Sequence, residues 1–325
     1  SQLSKEEVDE KMANNLPYVL RFRVASKIIT VKDIIRGSVK FDTGLMGDLI
    51  VAKDLNQPLY NFTVVVDDAT MNITHVIRGE DHLSNTPKQI LIAEALGFDS
   101  PEFAHLPMIL NPDRSKMSKR FSDTSLTEYI NQGYLKEAVV NFLAYLGWHP
   151  KEDKEVMTID ELVAEFDLKR TQKGGAVFNS EKLDWLNSYY ISKLTNQEFI
   201  DFAKKFLPEE WKLTEAIVVS VRTRTKKITD IRELVDFYFE FPGYEAELLK
   251  WKDMNFAAVA ENLRKAKDVL TNVSVTDFKT QKLEETLNTV VNQDKRGELF
   301  WPLRVSLSGK KISPGESWSR WLQKR

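Results

Sequence analysis

The amino-acid sequence predicts an α/β region followed by an all-helical region. Residues 60–113 alternate strand-like apolar runs with one helical stretch, which is typical of a parallel sheet. Beyond residue 124, apolar side chains recur at helical spacing and glycines stand where helices should end. The chain has 325 residues, more than one hydrophobic core usually holds, so we expect at least two domains.

The composition excludes several classes of protein. Hydrophobic residues make up 42% and charged residues 29% of the chain, as in folded proteins that dissolve in water. No apolar run approaches the roughly 20 residues that span a bilayer, and the first residues do not read as a signal peptide. The absence of cysteine excludes disulfides, thiol catalysis and a cysteine-based zinc site within the chain. We expect a cytoplasmic protein.

The first 59 residues are predicted to be rich in strands. Residues 18–24 alternate apolar and basic side chains, as a half-buried strand does. Further short strands are predicted between glycines, at residues 28–31, 38–41 and 49–52.

The next segment is predicted to form three strands and one helix. The helix runs over 88–96, with Pro87 in its first turn and Gly97 at its end. The strands are predicted at residues 60–66, 74–77 and 107–110. Charged segments follow the last two strands, and ligands of parallel sheets bind beyond the carboxyl ends of the strands. We therefore expect residues 78–81 and 113–120 to meet at that edge.

The remainder is predicted to be helical. Two capping boxes, in which Thr and Glu satisfy each other's backbone donors, occur at residues 158–161 and 195–198. Pro302 is expected to open a helix that ends at Gly309. Other helices are predicted over residues 135–146, 228–239, 256–269 and 282–291.

A cluster of cations between residues 113 and 120 is the strongest chemical signal. Arg114, Lys116, Lys119 and Arg120 stand within seven residues, directly after a predicted strand. Such a cluster is repulsive unless an anion neutralises it, which a polyphosphate would do. A lysine ammonium on its long stem can also follow a phosphate as it moves.

Residues 116–119 read Lys-Met-Ser-Lys, which resembles the signature loop of class I aminoacyl-tRNA synthetases. Segments 58–68 and 75–89 look like the blocks that precede this loop in glutamyl-tRNA synthetases. Blocks similar to those that follow it stand at residues 133–135, 141–148, 182–187 and 301–309. Because the matches run in order along almost the whole chain, the sequence is identified as a member of the glutamyl-tRNA synthetase family.

The resemblance implies a fold and an order of domains. The fold would combine the second half of a class I Rossmann-like catalytic domain with a helical anticodon-binding domain. Residues 1–59 would be the end of the inserted, acceptor-binding domain, and residues 60–113 the second catalytic half. Residues 114–193 would hold the Lys-Met-Ser-Lys-Arg loop and a stem-contact segment, and residues 194–325 would bind the anticodon.

The resemblance also implies a two-step reaction. Glutamate and Mg-ATP would form glutamyl-adenylate and pyrophosphate, and the terminal adenosine of tRNA would then attack through its 2′-hydroxyl. Lys119 would bind the phosphates and stabilise the charge on pyrophosphate, assisted by Lys116 and Arg120. Met117 and Ser118 would set the shape of the loop against the adenine.

Four residues would complete the small-molecule site by resemblance. Arg78 would hold glutamate, because its planar fork pairs with a carboxylate bidentately. Tyr60 would line the amino-acid pocket, and Glu80 and His82 would approach the ribose or base of ATP. The acidic pair at 67–68 is expected to be a strand-end turn rather than a metal site, because adjacent strand residues point to opposite sides.

Two basic concentrations would bind tRNA, although the net charge is −2. Arg222, Arg224, Lys226 and Lys227 have no acid among them, and Arg304 belongs to the basic C-terminal tail. A solvated helix face and a ragged end are the alternative interpretation of these charges. We expect no protein-bound zinc in this chain, and we expect a monomer.

The sequence departs from the family at one motif. Class I synthetases open with a strand and a His-x-Gly-His loop that clamps ATP, and none of His75, His82, His105 and His149 lies in such a motif. We therefore expect an incomplete chain that exposes a sheet edge and does not form adenylate by itself.

Three alternatives stay open. A glutamine-specific relative would build its C-terminal part from β-barrels, whereas residues 195–325 are predicted to be helical. A shortened tRNA-modifying relative would lack this helical part. A non-catalytic tRNA-binding module derived from a synthetase belongs to another functional class. Whether glutamine tRNA is also charged is left open as well.

Overall fold

A computed structural model gives the structure of the chain and describes residues 3–14, 16–117, 125–241 and 243–312. The chain forms two compact units. Unit 1 comprises Ser1–Ser122 and Leu143–Asn179, and unit 2 comprises Asp123–Phe142 and Ser180–Arg325. Within the described ranges, no helix is long and apolar enough to cross a bilayer.

The strands among the described residues all lie in unit 1. In chain order they are β1 (Leu20–Phe22), β2 (Ile28–Asp33), β3 (Gly37–Asp42), β4 (Leu49–Ala52), β5 (His75–Gly79), β6 (Glu102–Leu106), β7 (Ile109–Leu110) and β8 (Ala176–Val177). The largest sheet has the order β3-β2-β6-β5, with β2 and β3 antiparallel and β5 and β6 parallel. The smaller sheets pair β1 with β4 and β7 with β8.

Helices connect the strands of unit 1 and make up most of unit 2. In chain order they are α1 (Lys5–Ala13), α2 (Tyr60–Thr70), α3 (Thr86–Leu96), α4 (Leu126–Asn131), α5 (Lys136–Tyr145), α6 (Ile159–Glu165), α7 (Ser180–Lys193), α8 (Asn196–Ala203), α9 (Glu215–Val221), α10 (Ile231–Val235), α11 (Phe256–Thr271), α12 (Thr280–Asn288) and α13 (Arg296–Ser308). A 3₁₀ turn, Glu80–Asn85, joins β5 to α3.

Several predictions based on local signals are confirmed. The strands predicted before residue 59 are β1 to β4, with β1 shorter than expected. Helix α3 ends at Gly97, whose φ of 74° is the left-handed conformation that glycine adopts without strain. Thr158 and Thr195 each form the expected capping box, with Glu161 and Glu198.

The predicted strand over residues 60–66 is wrong, because these residues begin helix α2. The run of β-branched side chains favours a strand locally. Packing decides otherwise, since Val65 and Phe62 lie on one helical face against Ile92 and Ala93 of α3. The acidic pair at 67–68 consequently lies within this helix and not in a strand-end turn.

The third strand of the parallel arrangement is also misplaced in the sequence-based prediction. β6 occupies residues 102–106 and pairs with β5 in register from His75 opposite Glu102 to Gly79 opposite Leu106. Residues 109–110 form β7, which pairs with β8 in a separate sheet. β6 gave little strand signal because buried His105 stands where an apolar side chain is expected.

Two predicted helices of unit 2 also differ from the structure. Pro302 lies inside α13 instead of opening it, and the helix begins at Arg296. Gly309 ends it as predicted, with a φ of 67°. Residues 228–239 form the short helix α10 between two 3₁₀ turns, rather than one continuous helix.

Hydrogen bonds to side chains join separate parts of unit 2. Asn187 of α7 accepts from the backbone N–H of Leu135 at 2.8 Å and donates to the carbonyl of Lys226 at 2.6 Å. The Tyr134 hydroxyl donates to Asp184 at 2.5 Å. These contacts tie residues 134–135 to residues 184–187 and to the backbone at Lys226.

Candidate active site

The segments that follow β5, β6 and β7 meet at one edge of unit 1, and the described parts of segments 78–81 and 113–120 come together there as predicted. The backbone N–H of Met108 donates to Oε1 of Glu80 at 3.1 Å. The Lys116 ammonium group lies 3.3 Å from Oδ2 of Asp81. In open sheets this edge is where ligands bind, so the geometry defines a candidate site in unit 1.

Arg78 lies at the centre of this edge and is held by several side chains. Its Nη2 donates to Oγ1 of Thr86 at 2.9 Å and to Oε1 of Gln89 at 2.8 Å. Its Nε donates to Nε2 of His105 at 3.3 Å. Half-buried and fixed through Nε and Nη2, Arg78 is a rigidly oriented cation that can pair with a carboxylate through Nη1.

The guanidinium of Arg78 is partly shielded from water. Burial lowers the pKa of Arg78, and the nearby Tyr60 hydroxyl and Asp68 carboxyl oppose that shift. Burial raises the pKa of Asp68, while the charge of Arg78 counteracts the rise. Guanidinium stays charged in proteins, so Arg78 is a permanent cation whose field is weakly screened.

Tyr60 and His82 flank the same edge. Tyr60 is the first residue of α2, and its side chain is 49% exposed. The Tyr60 hydroxyl lies 3.5 Å from Nδ1 of His82, at the outer limit of a hydrogen bond. The structure therefore brings Tyr60, Arg78 and His82 together, although the sequence had placed Tyr60 in a strand.

Glu80 is engaged with protein groups on both of its oxygens. Oε2 forms an ion pair with Arg36 at 2.6 Å, and Oε1 accepts from the N–H of Met108. Arg36 also donates to the carbonyls of His105 and Lys173, at 3.2 and 2.6 Å. A contact of Glu80 with ATP would compete with these bonds, and it stays a prediction.

Lys116 and Met117 are the last residues of a tight hairpin at residues 109–117. The N–H of Met117 donates to the carbonyl of Ile109 at 3.1 Å, and the N–H of Asn111 donates to Ser115 at 2.8 Å. At the turn, Arg114 adopts a φ of 66°. The hairpin fixes where the Lys-Met-Ser-Lys segment starts. Three other predicted residues, Ser118, Lys119 and Arg120, lie outside the described residues.

No role was predicted for Asp81, although it belongs to the segment expected at this edge, and no sequence signal indicated Asp33. Slight burial would raise the pKa of Asp81, but the hydrogen bond and charge of Lys116 outweigh this and lower it. Asp33, at the end of β2, accepts from Nδ1 of His105 at 2.6 Å, and both side chains are fully buried. No local sequence pattern indicates this pair, since 72 residues separate its members.

The predicted tRNA-binding residues in unit 2 differ in exposure. Arg224 and Lys226 are exposed, whereas Arg222, Lys227 and Arg304 are partly buried. Arg222 donates to Asn196 and lies 5.8 Å from the ring centroid of Phe199. Lys227 lies 5.8 Å from the ring centroid of Tyr134. Among the described residues, no three His, Cys, Asp or Glu side chains are grouped to hold a metal ion.

Two protein-family models match the chain. The model described as "tRNA synthetases class I (E and Q), catalytic domain" matches residues 1–185. The model described as "Anticodon binding domain" matches residues 198–318.

Individual relatives match over nearly the whole chain. Glutamate–tRNA ligase 2 of Thermoanaerobacter pseudethanolicus is 43% identical over 96% of this chain and 67% of its own length. Glutamate–tRNA ligase of Clostridium novyi is 39% identical over 96% of this chain and 66% of its own. The chain thus spans about two thirds of the length of these relatives.

A solved structure gives the same picture. The glutamate tRNA ligase of Elizabethkingia meningosepticum, in complex with its amino acid, superposes with a TM-score of 0.81 at 31% identity. The superposition covers 99% of this chain and 70% of that one.

Proposed function

Because the chain belongs to the family of class I tRNA synthetases for glutamate and glutamine, we propose that it acts in the attachment of glutamate to tRNA. The family confirms the predicted fold class, a Rossmann-like catalytic domain combined with a helical anticodon-binding domain. Glutamate, Mg-ATP and tRNA are the proposed substrates, and glutamyl-adenylate is the proposed intermediate.

The observation that supports this proposal most directly is the setting of Arg78. A half-buried guanidinium, fixed through Nε and Nη2, lies next to the Tyr60 hydroxyl at the ligand-binding edge of the sheet. Such a group recognises a carboxylate by geometry as well as by charge. We propose that Arg78 binds glutamate and that Tyr60 lines its pocket.

Lys116, the first residue of the Lys-Met-Ser-Lys segment, lies at the same edge, and this segment is proposed to bind the phosphates of ATP. Asp81 forms an ion pair with Lys116, so a phosphate that binds Lys116 would compete with this contact. We propose that Lys119, Lys116 and Arg120 stabilise the charge that develops on pyrophosphate. Met117 and Ser118 would shape the loop, and His82 and Glu80 would approach the nucleotide.

The proposal for tRNA rests on unit 2. Residues 195–312 are helical where described and contain no strand, which favours glutamate over the glutamine-specific alternative. Arg222, Arg224, Lys226, Lys227 and Arg304 are proposed to contact tRNA phosphates. The four-segment division, a monomeric state and a cytoplasmic location stay predictions.

The central experiment replaces Lys119 by Ala in the protein expressed from its whole coding sequence. We expect glutamate-dependent pyrophosphate exchange to fall by about 100-fold or more, as when one well-placed donor is lost. The affinity for tRNA should change little. Lys40→Ala is the matched control, because Lys40 is exposed on β3, at the opposite edge of the sheet from β5.

The outcomes separate the proposed ligase from its alternative. If Lys119→Ala exchanges pyrophosphate as fast as Lys40→Ala does, the proposed role of the loop is wrong. If the parent protein, which carries no substitution, binds tRNA but shows no glutamate-dependent pyrophosphate exchange, it is a tRNA-binding module. The prediction that these 325 residues do not form adenylate by themselves is tested by the same assay on this polypeptide.

A further inference from the structure

A buried acid–histidine pair lies directly behind Arg78. Asp33 and His105 both have fully buried side chains, and Oδ2 of Asp33 lies 2.6 Å from Nδ1 of His105. Neither residue reaches the surface where substrates would bind, so neither is used in the proposed reaction. Burying an ionisable pair costs desolvation free energy unless hydrogen bonds and charge contacts offset it. The position of this pair next to Arg78 therefore points to a role for it.

The hydrogen bonds around Asp33 determine the protonation of His105. Oδ1 of Asp33 accepts from the backbone N–H groups of Ile35 and Arg36, at 2.9 and 2.8 Å. Burial would raise the pKa of Asp33, but these bonds and those from His105 lower it. Asp33 is therefore an ionised acceptor, and the proton between it and His105 belongs to Nδ1.

The other nitrogen of His105 faces Arg78. Nε2 lies 3.3 Å from Nε of Arg78 and 3.1 Å from Oγ1 of Thr86. The Nε–H of Arg78 can only donate, so Nε2 must be an unprotonated acceptor for this contact to be favourable. The chain of bonds is consistent only when neutral His105 carries its proton on Nδ1.

We propose that Asp33 and His105 are positioning residues for the glutamate site, which fix the imidazole tautomer so that Nε2 holds the guanidinium of Arg78 in place. This inference rests on the proposed function, because it assumes that Arg78 binds glutamate. Thr86 and Gln89 hold Nη2 from the other side. With Nε and Nη2 so held, the guanidinium is oriented before the substrate arrives, which reduces the ordering cost of binding.

The charges that face His105 agree with this role. Burial lowers the pKa of His105, the contact with Asp33 opposes the shift, and the charges of Arg78 and Arg36 reinforce it. The neutral form is favoured in the folded protein, as the acceptor role at Nε2 requires. Protonation would place a second N–H against the Nε–H of Arg78 and break the contact.

The first experiment reads the tautomer in the 325-residue chain itself and requires no catalysis. Long-range ¹H–¹⁵N spectra of ¹⁵N-histidine-labelled protein distinguish protonated from unprotonated ring nitrogens. His105→Gln identifies the His105 signals. We expect the proton of His105 on Nδ1 at neutral pH. A proton on Nε2, or on both nitrogens, would overturn the inference whether or not the protein is a ligase.

The second experiment reverses the tautomer. In Asp33→Asn, the amide oxygen can keep the backbone bonds while the amide N–H faces Nδ1, which moves the imidazole proton to Nε2. In the protein expressed from its whole coding sequence, we expect KM for glutamate to rise by about tenfold or more, the loss of one charge-assisted bond. KM for ATP should stay within about threefold.

Variants at His105 and Val31 separate positioning from general destabilisation. His105→Leu should raise KM for glutamate as Asp33→Asn does, and His105→Gln should recover most of it, because its amide oxygen can accept from Arg78. Val31→Ala removes buried volume from the same strand face as Asp33, where Val31 packs with Ile29 and Leu91, and it should lower Tm but leave both KM values unchanged.

The outcomes also distinguish this inference from the proposed function. If the parent protein activates glutamate and Asp33→Asn changes both KM values equally, Asp33 is structural and the inference is wrong. If the parent shows no glutamate-dependent exchange, the proposed function is wrong, and the tautomer measurement then reports only on how Arg78 is held.

Discussion

The ammonium group of Lys116 lies 3.3 Å from Oδ2 of Asp81, and this ion pair joins the hairpin that begins with β7 to the turn that follows β5. Both side chains are about half exposed, at 59% and 47%, so water screens their attraction. An exposed pair of this kind contributes about 1 kcal/mol or less. The contact therefore holds Lys116 only weakly, and a phosphate can replace Asp81 as its partner.

Asp81→Asn is expected to have a small effect for this reason. Removing the carboxylate charge releases Lys116, so KM for ATP should fall, by no more than about threefold. The difference from the parent protein should shrink at high salt, which screens the pair. Pyrophosphate exchange at low and high ionic strength measures this. A loss of activity above about tenfold would instead show that Asp81 contacts a substrate.

Arg78→Lys is expected to affect glutamate selectively. Lysine keeps the charge but cannot make the separate Nε and Nη2 contacts to His105, Thr86 and Gln89, so its ammonium group would not be held in one orientation. We expect KM for glutamate to rise by about 10- to 100-fold, equivalent to about 1.4–2.8 kcal/mol. Initial rates with each substrate varied in turn measure the effect. Equal changes for glutamate and ATP would contradict the proposed role.

Gly133→Ala is expected to destabilise unit 2 strongly. Gly133 has a φ of 82°, and an added Cβ would lie 2.5 Å from Cγ2 of Ile228 and 2.9 Å from the backbone N of Thr229. Left-handed backbone and overpacking together should cost about 2–4 kcal/mol. Urea denaturation gives the free energy of unfolding. Gly174→Ala is the control, with no atom within 4 Å of its Cβ, and should stay within about 0.5 kcal/mol.

Exposure should separate the roles of two basic residues in unit 2. Exposed Lys226 can contact phosphate, so Lys226→Gln should weaken tRNA binding. It should also reduce the slope of log affinity against log salt concentration by about one. Arg222 lies over Phe199 and donates to Asn196, so Arg222→Gln should lower the stability of unit 2. Binding titrations over several salt concentrations measure this, with exposed Lys205→Gln as control. An unchanged salt slope for Lys226→Gln would remove Lys226 from the interface.

The sequence by itself determined the features that depend on neighbouring residues. The capping boxes at Thr158 and Thr195, the helix end at Gly97 and strand β4 are predicted from a few adjacent side chains. The Lys-Met-Ser-Lys segment and the motifs around it indicated the family for the same reason. The expectation that residues 78–81 and 113–120 meet followed from strands predicted at 74–77 and 107–110 and from a general rule of parallel sheets. The contact between Asp81 and Lys116 agrees with it.

Tertiary structure decided the features that depend on distant residues. Residues 60–66 have β-branched side chains, yet they form a helix because their apolar face packs against α3. β6 is a strand although it carries His105, because Asp33 supplies a buried partner from 72 residues away. Local propensities amount to fractions of a kcal/mol per residue, and burial outweighs them. The support of Arg78 was therefore visible only once the chain was folded.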